Sequence, residues 1–336
     1  MKNHKLNYAA LLLILAVSIV FFVGQGYIKI PFKTTFDMIL GEITNNSLKE
    51  QNLKFWYTIF EVRLPRVLIS AVCGAGLAFC GLIFQSVLLN PLADPYILGV
   101  SSGASFGSAL AIMFNLNFLG LFTTSFFAFL FSIISLILTL TISFIDKSIN
   151  KTSLILAGII VNSFFSAGLS FIKYIAGDEV GTIVFWLMGS FSSRSWNDLL
   201  WVSLTFFPLL FLASFFTEKM NILSLGDRNA ATLGINTTRL RIVLLTLASI
   251  ISSIIVSRSG IIGFVGLVVP HICRFIWGSD NKKLIFYSPL IGALLMCYAD
   301  NFIRLVLPAE IPIGILTSLI GAPFFAFIMR RKMRRS

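Results

Sequence analysis

Long apolar runs alternate along the chain with short polar breaks, and the run lengths set the reading. Ten such runs occur, at 6–28, 64–89, 95–117, 120–145, 152–172, 199–217, 240–257, 259–277, 284–303 and 311–329. A membrane-crossing helix needs about 20 mostly apolar residues, which each run approaches or exceeds. A shorter uncharged run, Val180–Ser193, holds Gly181 and Gly189 and has charges on both sides. It reads as a re-entrant or interfacial helix. Only Arg258-Ser259-Gly260 separate the seventh and eighth runs, and the eighth carries Gly260, Gly263, Gly266 and Pro270. That segment is predicted to be short or broken, because proline removes a backbone donor and glycine weakens a helix interior. The expectation is an all-α polytopic membrane protein with ten transmembrane helices in one domain, residues 1–336. Two connections are long enough to matter, 29–62 on the outer side and 218–238 on the inner side.

Composition agrees with this pattern and excludes most other classes. Hydrophobic residues make up 57% of the 336 and charged residues 12%, with mean hydropathy +0.92. Soluble domains run at about 45–50% apolar and about 25% charged, so this chain could not cover its surface in water. A soluble enzyme, a nucleic-acid-binding domain and a disordered chain are all excluded on that ground. Phe occurs 34 times, far beyond what one soluble core needs.

The net charge of +12 then reads as topology and lipid contact, with no nucleic acid partner. An even number of spans puts both termini on one side. The basic tail from Arg330 to Arg335 makes that side the cytoplasm. With this orientation 16 of the 26 Lys and Arg fall inside and 10 outside. The first run follows Lys2 and Lys5 with no small-x-small cleavage site after it, and is read as a retained helix.

Candidate chemistry is sparse. Cys73, Cys80, Cys273 and Cys297 lie in apolar runs, none forms a CxxC, and His4 and His271 are far apart. No metal site and no cofactor is expected. There is no GxxxxGK[ST] or HExxH, so catalytic residues are not assigned and any ATP hydrolysis belongs to another subunit. Gly99, Gly103 and Gly107 recur every four residues, which suits tight helix packing or a helix beside a pathway. In Asn90-Pro91-Leu92-Ala93-Asp94-Pro95 two prolines break the helix, and Asn90 and Asp94 can satisfy freed backbone groups. Asp300 and Arg304 are spaced to pair along one helix face. Arg274 is expected to snorkel to the cytoplasmic surface. An ion-coupled secondary transporter is the alternative class, but no chain of carboxylates or His runs through the spans.

Several ordered blocks then carry a resemblance. They are Arg63-Leu64-Pro65-Arg66, Gly74-Ala75-Gly76-Leu77-Ala78 with Gly81 and Gln85, the Asn90–Pro95 turn, and Leu98–Ala104. Leu225-Gly226-Asp227, Ala230-Ala231, Leu233-Gly234, Gly260–Leu267, Pro270-His271-Ile272, Ile311–Gly314 and Gly321-Ala322-Pro323-Phe324 follow. Over residues 60–330 the chain resembles the FecCD-type permeases of ABC importers, which carry iron–siderophore complexes, haem or vitamin B12. The resemblance implies a vitamin B12-importer-like fold of ten helices in the bacterial cytoplasmic membrane. It implies a second permease subunit, an identical copy in preference to a different one, two ATP-binding subunits and an external solute-binding protein. It implies that Arg63, Arg66 and Arg304 dock that binding protein. It implies that Leu225, Gly226, Asp227, Ala230, Ala231, Leu233 and Gly234 form the helix that couples to the ATPase. Asn90 and Leu92, with Thr152 and Ser153, correspond to an inner gate, and Gly99 and Gly103 stand beside that pathway.

Overall fold

A computed structural model describes residues 2–26, 28, 30–44, 52–144, 149, 151–306 and 311–333. Lys29, Lys49, Lys147, Arg334 and Arg335 of the charge count lie outside the described residues. The helices are α1 (Lys2–Gly24), α2 (Phe32–Ile43), α3 (Leu53–Tyr57), α4 (Leu64–Leu88), α5 (Val100–Met113), α6 (Thr123–Ser143), α7 (Lys151–Ile175), α8 (Val180–Leu187), α9 (Trp196–Ser214), α10 (Thr217–Leu223), α11 (Asp227–Thr232), α12 (Thr237–Ser259), α13 (Val265–Trp277), α14 (Asn281–Val306) and α15 (Ile313–Met333). Among the described residues there is no β-strand.

Among the described residues, six helical segments are long and apolar enough to cross a membrane. They are Leu53–Leu88, Thr123–Ser143, Lys151–Ile175, Trp196–Ser214, Thr237–Ser259 and Asn281–Val306. Tyr8–Gly24, Val100–Met113, Val265–Trp277 and Ile313–Ala326 are shorter apolar helices. Each expected run thus overlaps one of these helices. One boundary moves. The second run was expected to begin at 64, but helix begins at Leu53 and passes through a wider π-helical stretch, Thr58–Arg63, into α4. The described part of the 29–62 connection is therefore largely helical, with α2 ahead of α3. The break between the seventh and eighth runs is real: α12 ends at Ser259, α13 starts at Val265, and Gly260 and Phe264 between them have φ of 71° and 66°.

Helix α4 is the axis of the bundle. It packs against α14, α12, α13, α9 and α1, and nearly every residue from Pro65 to Leu88 is buried. Lipid is as apolar as leucine, so helices gain little by hiding apolar surface from each other. Association depends on close contact and polar links. Two glycines seven residues apart, and so on one side of α4, provide the contact. A Cβ at Gly74 would lie 2.2 Å from the carbonyl oxygen of Gly292 in α14, and a Cβ at Gly81 would lie 1.8 Å from that of Gly266 in α13. Neither position has room for a methyl group.

Around this axis α5, α6 and α7 form a second layer, joined to α4 mainly through α12. The peripheral helices keep apolar side chains on their outer faces. Leu204 and Phe211 on α9 and Phe164 and Phe171 on α7 are exposed. The excess Phe is thus partly accounted for, since a lipid-facing surface needs no polar cover. All four cysteines are buried.

Replacing Gly81 by Leu is expected to lower the thermal stability of the purified protein sharply, beyond the about 1–3 kcal/mol typical of overpacking, because the obstacle is backbone. Gly181→Ala, where an added Cβ meets nothing within 4 Å, should change it by less than about 0.5 kcal/mol. Thermal unfolding in detergent checks both.

Candidate functional site

The three arginines assigned to docking do gather at one end of the bundle, but their guanidiniums point inward. The last carbonyls of α1 have no intrahelical donors. Arg63 fills this need by donating to Val23 O (3.2 Å), Gly24 O (3.0 Å) and, just beyond the helix, Ile28 O (2.6 Å). Arg304 donates to Phe22 O at 2.6 Å and to Asn301 Oδ1. Two cations at a helix C-terminus also oppose its negative dipole end. Arg66 is buried and makes a two-pronged bond to Asp300, Nε to Oδ2 and Nη2 to Oδ1, each 3.0 Å. The pairing of Asp300 with Arg304 expected from spacing is corrected. Asp300 faces α4, where Arg66 offers the planar fork that suits a carboxylate.

The segment after α4 lies at the opposite end. Leu89 closes α4 with φ 51°. Asn90 Oδ1 accepts the Leu92 amide at 3.0 Å, and Asp94 Oδ1 accepts those of Tyr96 and Ile97 at 3.1 and 3.3 Å. Leu92 is exposed. The carbonyls left over are met from two other helices. Ser132, Ser135 and Thr139, on one face of α6, donate to Val100 O, Gly99 O and Leu98 O at 2.9, 2.7 and 2.9 Å. Asn162 of α7 donates to Tyr96 O and Ile97 O. Irregular backbone inside a membrane protein needs such internal partners. Gly99 turns with φ 86°. A Cβ at Gly103 would lie 2.4 Å from Phe131 O of α6, so this glycine permits α5–α6 contact. Thr152 is exposed and Ser153 half-buried in the first turn of α7.

The 218–238 connection folds into α10 and α11, with α11 where the sequence suggested a short helix. Gly226 (φ 99°) opens it, and Gly234 (φ 79°) follows its end. The Ile235 amide returns to Ala230 O at 3.0 Å. Ala230 is buried, Ala231 is exposed, and Leu225 and Leu233 are 60% and 61% exposed. Below this apolar outer surface, Asp227 pairs with Arg241 at 2.5 Å. Arg241 is 2% exposed and also donates to Ile149 O. One side chain thereby ties α11, the first turns of α12 and the residues before α7.

Comparison with known proteins decides what these sites belong to. The model of the FecCD transport family matches residues 12–331. The chain belongs to the FecCD transport family. It is 40% identical to the molybdate import system permease protein MolB of Haemophilus influenzae, over 82% of each chain. It is 35% identical to the hemin transport system permease protein HmuU of Yersinia pestis, over 99% of this chain and 98% of that one. A solved ABC transporter described as of metal-chelate type, in an inward-facing conformation, shares 34% identity and a TM-score of 0.82, covering 97% of this chain and 99% of that one. This FecCD chain is a multi-pass permease subunit of an ABC importer in the cytoplasmic membrane, a transport component and not an enzyme.

Several polar links of this FecCD permease escaped the sequence reading, which treated basic residues as surface charge. Arg241 is one. Arg258 is another: it is buried, pairs with Asp198 at 3.2 Å and stacks 4.9 Å from the Phe122 ring. Asp198 also forms the capping box of α9 with Ser195. Arg274 does not snorkel. It turns toward α4 and donates to Gln85 Oε1 and, at 3.1 Å, to Ser86 Oγ. These acceptors stand nearer than the surface does. Asn221 receives the Asn281 amide at 2.8 Å and donates to Asp280 at 2.8 Å, fixing α10 to the start of α14. Beside them Lys282 bonds to Glu218 and holds its exposed carboxyl below the usual range. The signal was the coincidence of Asn, Gln and Ser with Arg near helix ends.

Substitutions at two of the ion pairs test these links. Asp300→Asn should cost about 3–5 kcal/mol by removing the carboxylate that faces buried Arg66, whereas Arg66→Met with Asp300→Leu should recover most of it. A double-mutant cycle in detergent reads the coupling. Arg241→Gln should cost about 2 kcal/mol through its lost charge-assisted bonds, and Asp227→Asn less, since Asp227 is half exposed.

Proposed function

We propose that this FecCD permease crosses the membrane ten times, with both termini in the cytoplasm, and works as a pair of identical copies. Two ATP-binding subunits engage α11 from the cytoplasm, and a solute-binding protein delivers cargo from outside. The observation that carries this reading is α11 itself. Two exposed leucines, Leu225 and Leu233, flank this short helix, whose underside is locked to α12 by Asp227 and Arg241. An apolar knob on a rigid mount suits a partner's cleft. Force applied there reaches α12 and the start of α7.

The binding protein is placed over the end where Arg63, Arg66 and Arg304 gather. Their inward bonds support a docking surface built on braced helix ends. Asn90 and Leu92, with Thr152 and Ser153, form the inner gate at the α11 end. Gly99 and Gly103 let α5 close against α6 beside it. Transport then proceeds by alternating access, with helices moving as units about the broken segments.

The cargo proposed is an iron chelate or haem, supported by the name of HmuU and the metal-chelate type of the solved transporter. The likeness to MolB favours molybdate as a second reading. Reconstitution of the permease with its ATPase and binding protein separates them. ATP-dependent uptake of a ferric siderophore or haem with no molybdate uptake is expected. Molybdate uptake alone supports the second reading, and uptake driven by an ion gradient without ATP contradicts both. In the same system Ala231→Trp should leave ATP hydrolysis intact while lowering uptake at least tenfold.

A further inference from the structure

A cavity of about 490 Å³ lies between α10, the residues following α11 and the first turns of α12. Phe216, Leu240 and Val243 form its apolar wall, and Lys219 and Arg239 are the ionisable residues that line it. No acidic residue is among its lining residues. The nearby carboxylates are engaged elsewhere: Glu218 with Lys282 of α14 and Asp227 with Arg241. Lys219 Nζ stands 5.5 Å from the Phe216 ring, at the edge between the charged and apolar parts. Asn236 caps α12 here by accepting the Arg239 amide at 2.9 Å, so the positive end of a 23-residue helix also faces the site. Just before Phe216, exposed Phe211 near the end of α9 and exposed Phe215 just past it meet edge to face at 5.0 Å. The cavity therefore stands where two membrane-spanning helices leave the bilayer, with cations at its rim and an apolar wall beneath.

We propose that this cavity binds an anionic phospholipid, with Lys219 and Arg239 on its phosphate and Phe216, Leu240 and Val243 against its first acyl carbons. A free phosphate would leave the apolar wall unused, and a choline headgroup would bring a third cation beside two. Basic pockets between transmembrane helices suit anionic headgroups on these grounds. The proposal requires only a bilayer around α9 and α12, and holds whatever cargo the permease carries. A bound lipid would bridge the chain that follows α11 to α12, bracing the far side of the segment that Arg241 holds.

Native mass spectrometry of the purified full-length protein, titrated with phosphatidylglycerol or phosphatidylcholine, tests it. The protein should bind phosphatidylglycerol in preference. Lys219→Gln with Arg239→Gln should weaken that binding roughly 30-fold, from about fivefold per cation removed. Both residues are exposed, so folding should persist, and unchanged thermal unfolding verifies it. Arg228→Gln, a charge lost on exposed α11, should leave the affinity unchanged, and inorganic phosphate should not displace the lipid. Undiminished phosphatidylglycerol binding in the folded double variant, equal affinity for the two lipids, or displacement by inorganic phosphate would overturn the proposal.

Discussion

Backbone-to-backbone contact along α4 is the constraint on which the rest of this permease depends. Gly74 meets Gly292 and Gly81 meets Gly266 at distances that admit no side chain. These contacts fix where α13 and α14 lie, and therefore where the ends of both helices come out. At one end they bring Asp300 to Arg66 and Arg304 to the terminus of α1. At the other they bring Arg274 to Gln85 and Ser86. A helix surrounded on nearly every side is uniform in character, which is why the 64–89 run reads as unbroken apolar sequence.

A rigid axis requires that movement occur elsewhere, and the irregular segments are the places for it. Residues 89–99 and 260–264 leave the α-helical path, and their backbone groups are held by side chains from outside each segment: Ser135, Thr139 and Asn162 on the first, and Tyr96, which donates to Ile262 O at 2.8 Å, on the second. Tyr96 belongs to one broken segment and holds the other. Displacing either segment therefore changes a shared set of hydrogen bonds. The Asp227–Arg241 pair joins α11 to the base of α12, whose far end leads into residues 260–264. A push on α11 has a continuous route to both breaks.

The sequence made the helices legible because lipid imposes a strict length and polarity on each of them. It made the Gly99, Gly103 and Gly107 stripe and the Asn90–Pro95 turn legible because few other roles require those residues. Partners across helices were not legible. Asp300 was matched to Arg304 since spacing along one helix is visible in a sequence, while its true partner, Arg66, lies 234 positions away. Arg63, Arg241 and Arg258 were counted as surface charge for the same reason. A side bias in Lys and Arg says which end a cation occupies, but not whether it faces water or a helix terminus. Lys54, Glu61 and Arg63 hide the helical nature of 53–63, because they mark it as a polar break before the apolar run.

The central claim is that ATPase-driven movement of α11 reaches the Asn90–Leu92 turn through the body of the permease. Spin labels at Arg228→Cys and Leu92→Cys, both exposed positions, measure it in the reconstituted importer. Between nucleotide-free and ATP-bound states the distance distribution should shift as a whole, and Arg241→Gln should abolish the shift while ATP still binds. A distribution that stays the same on ATP binding, or a shift that survives Arg241→Gln unaltered, would contradict the account.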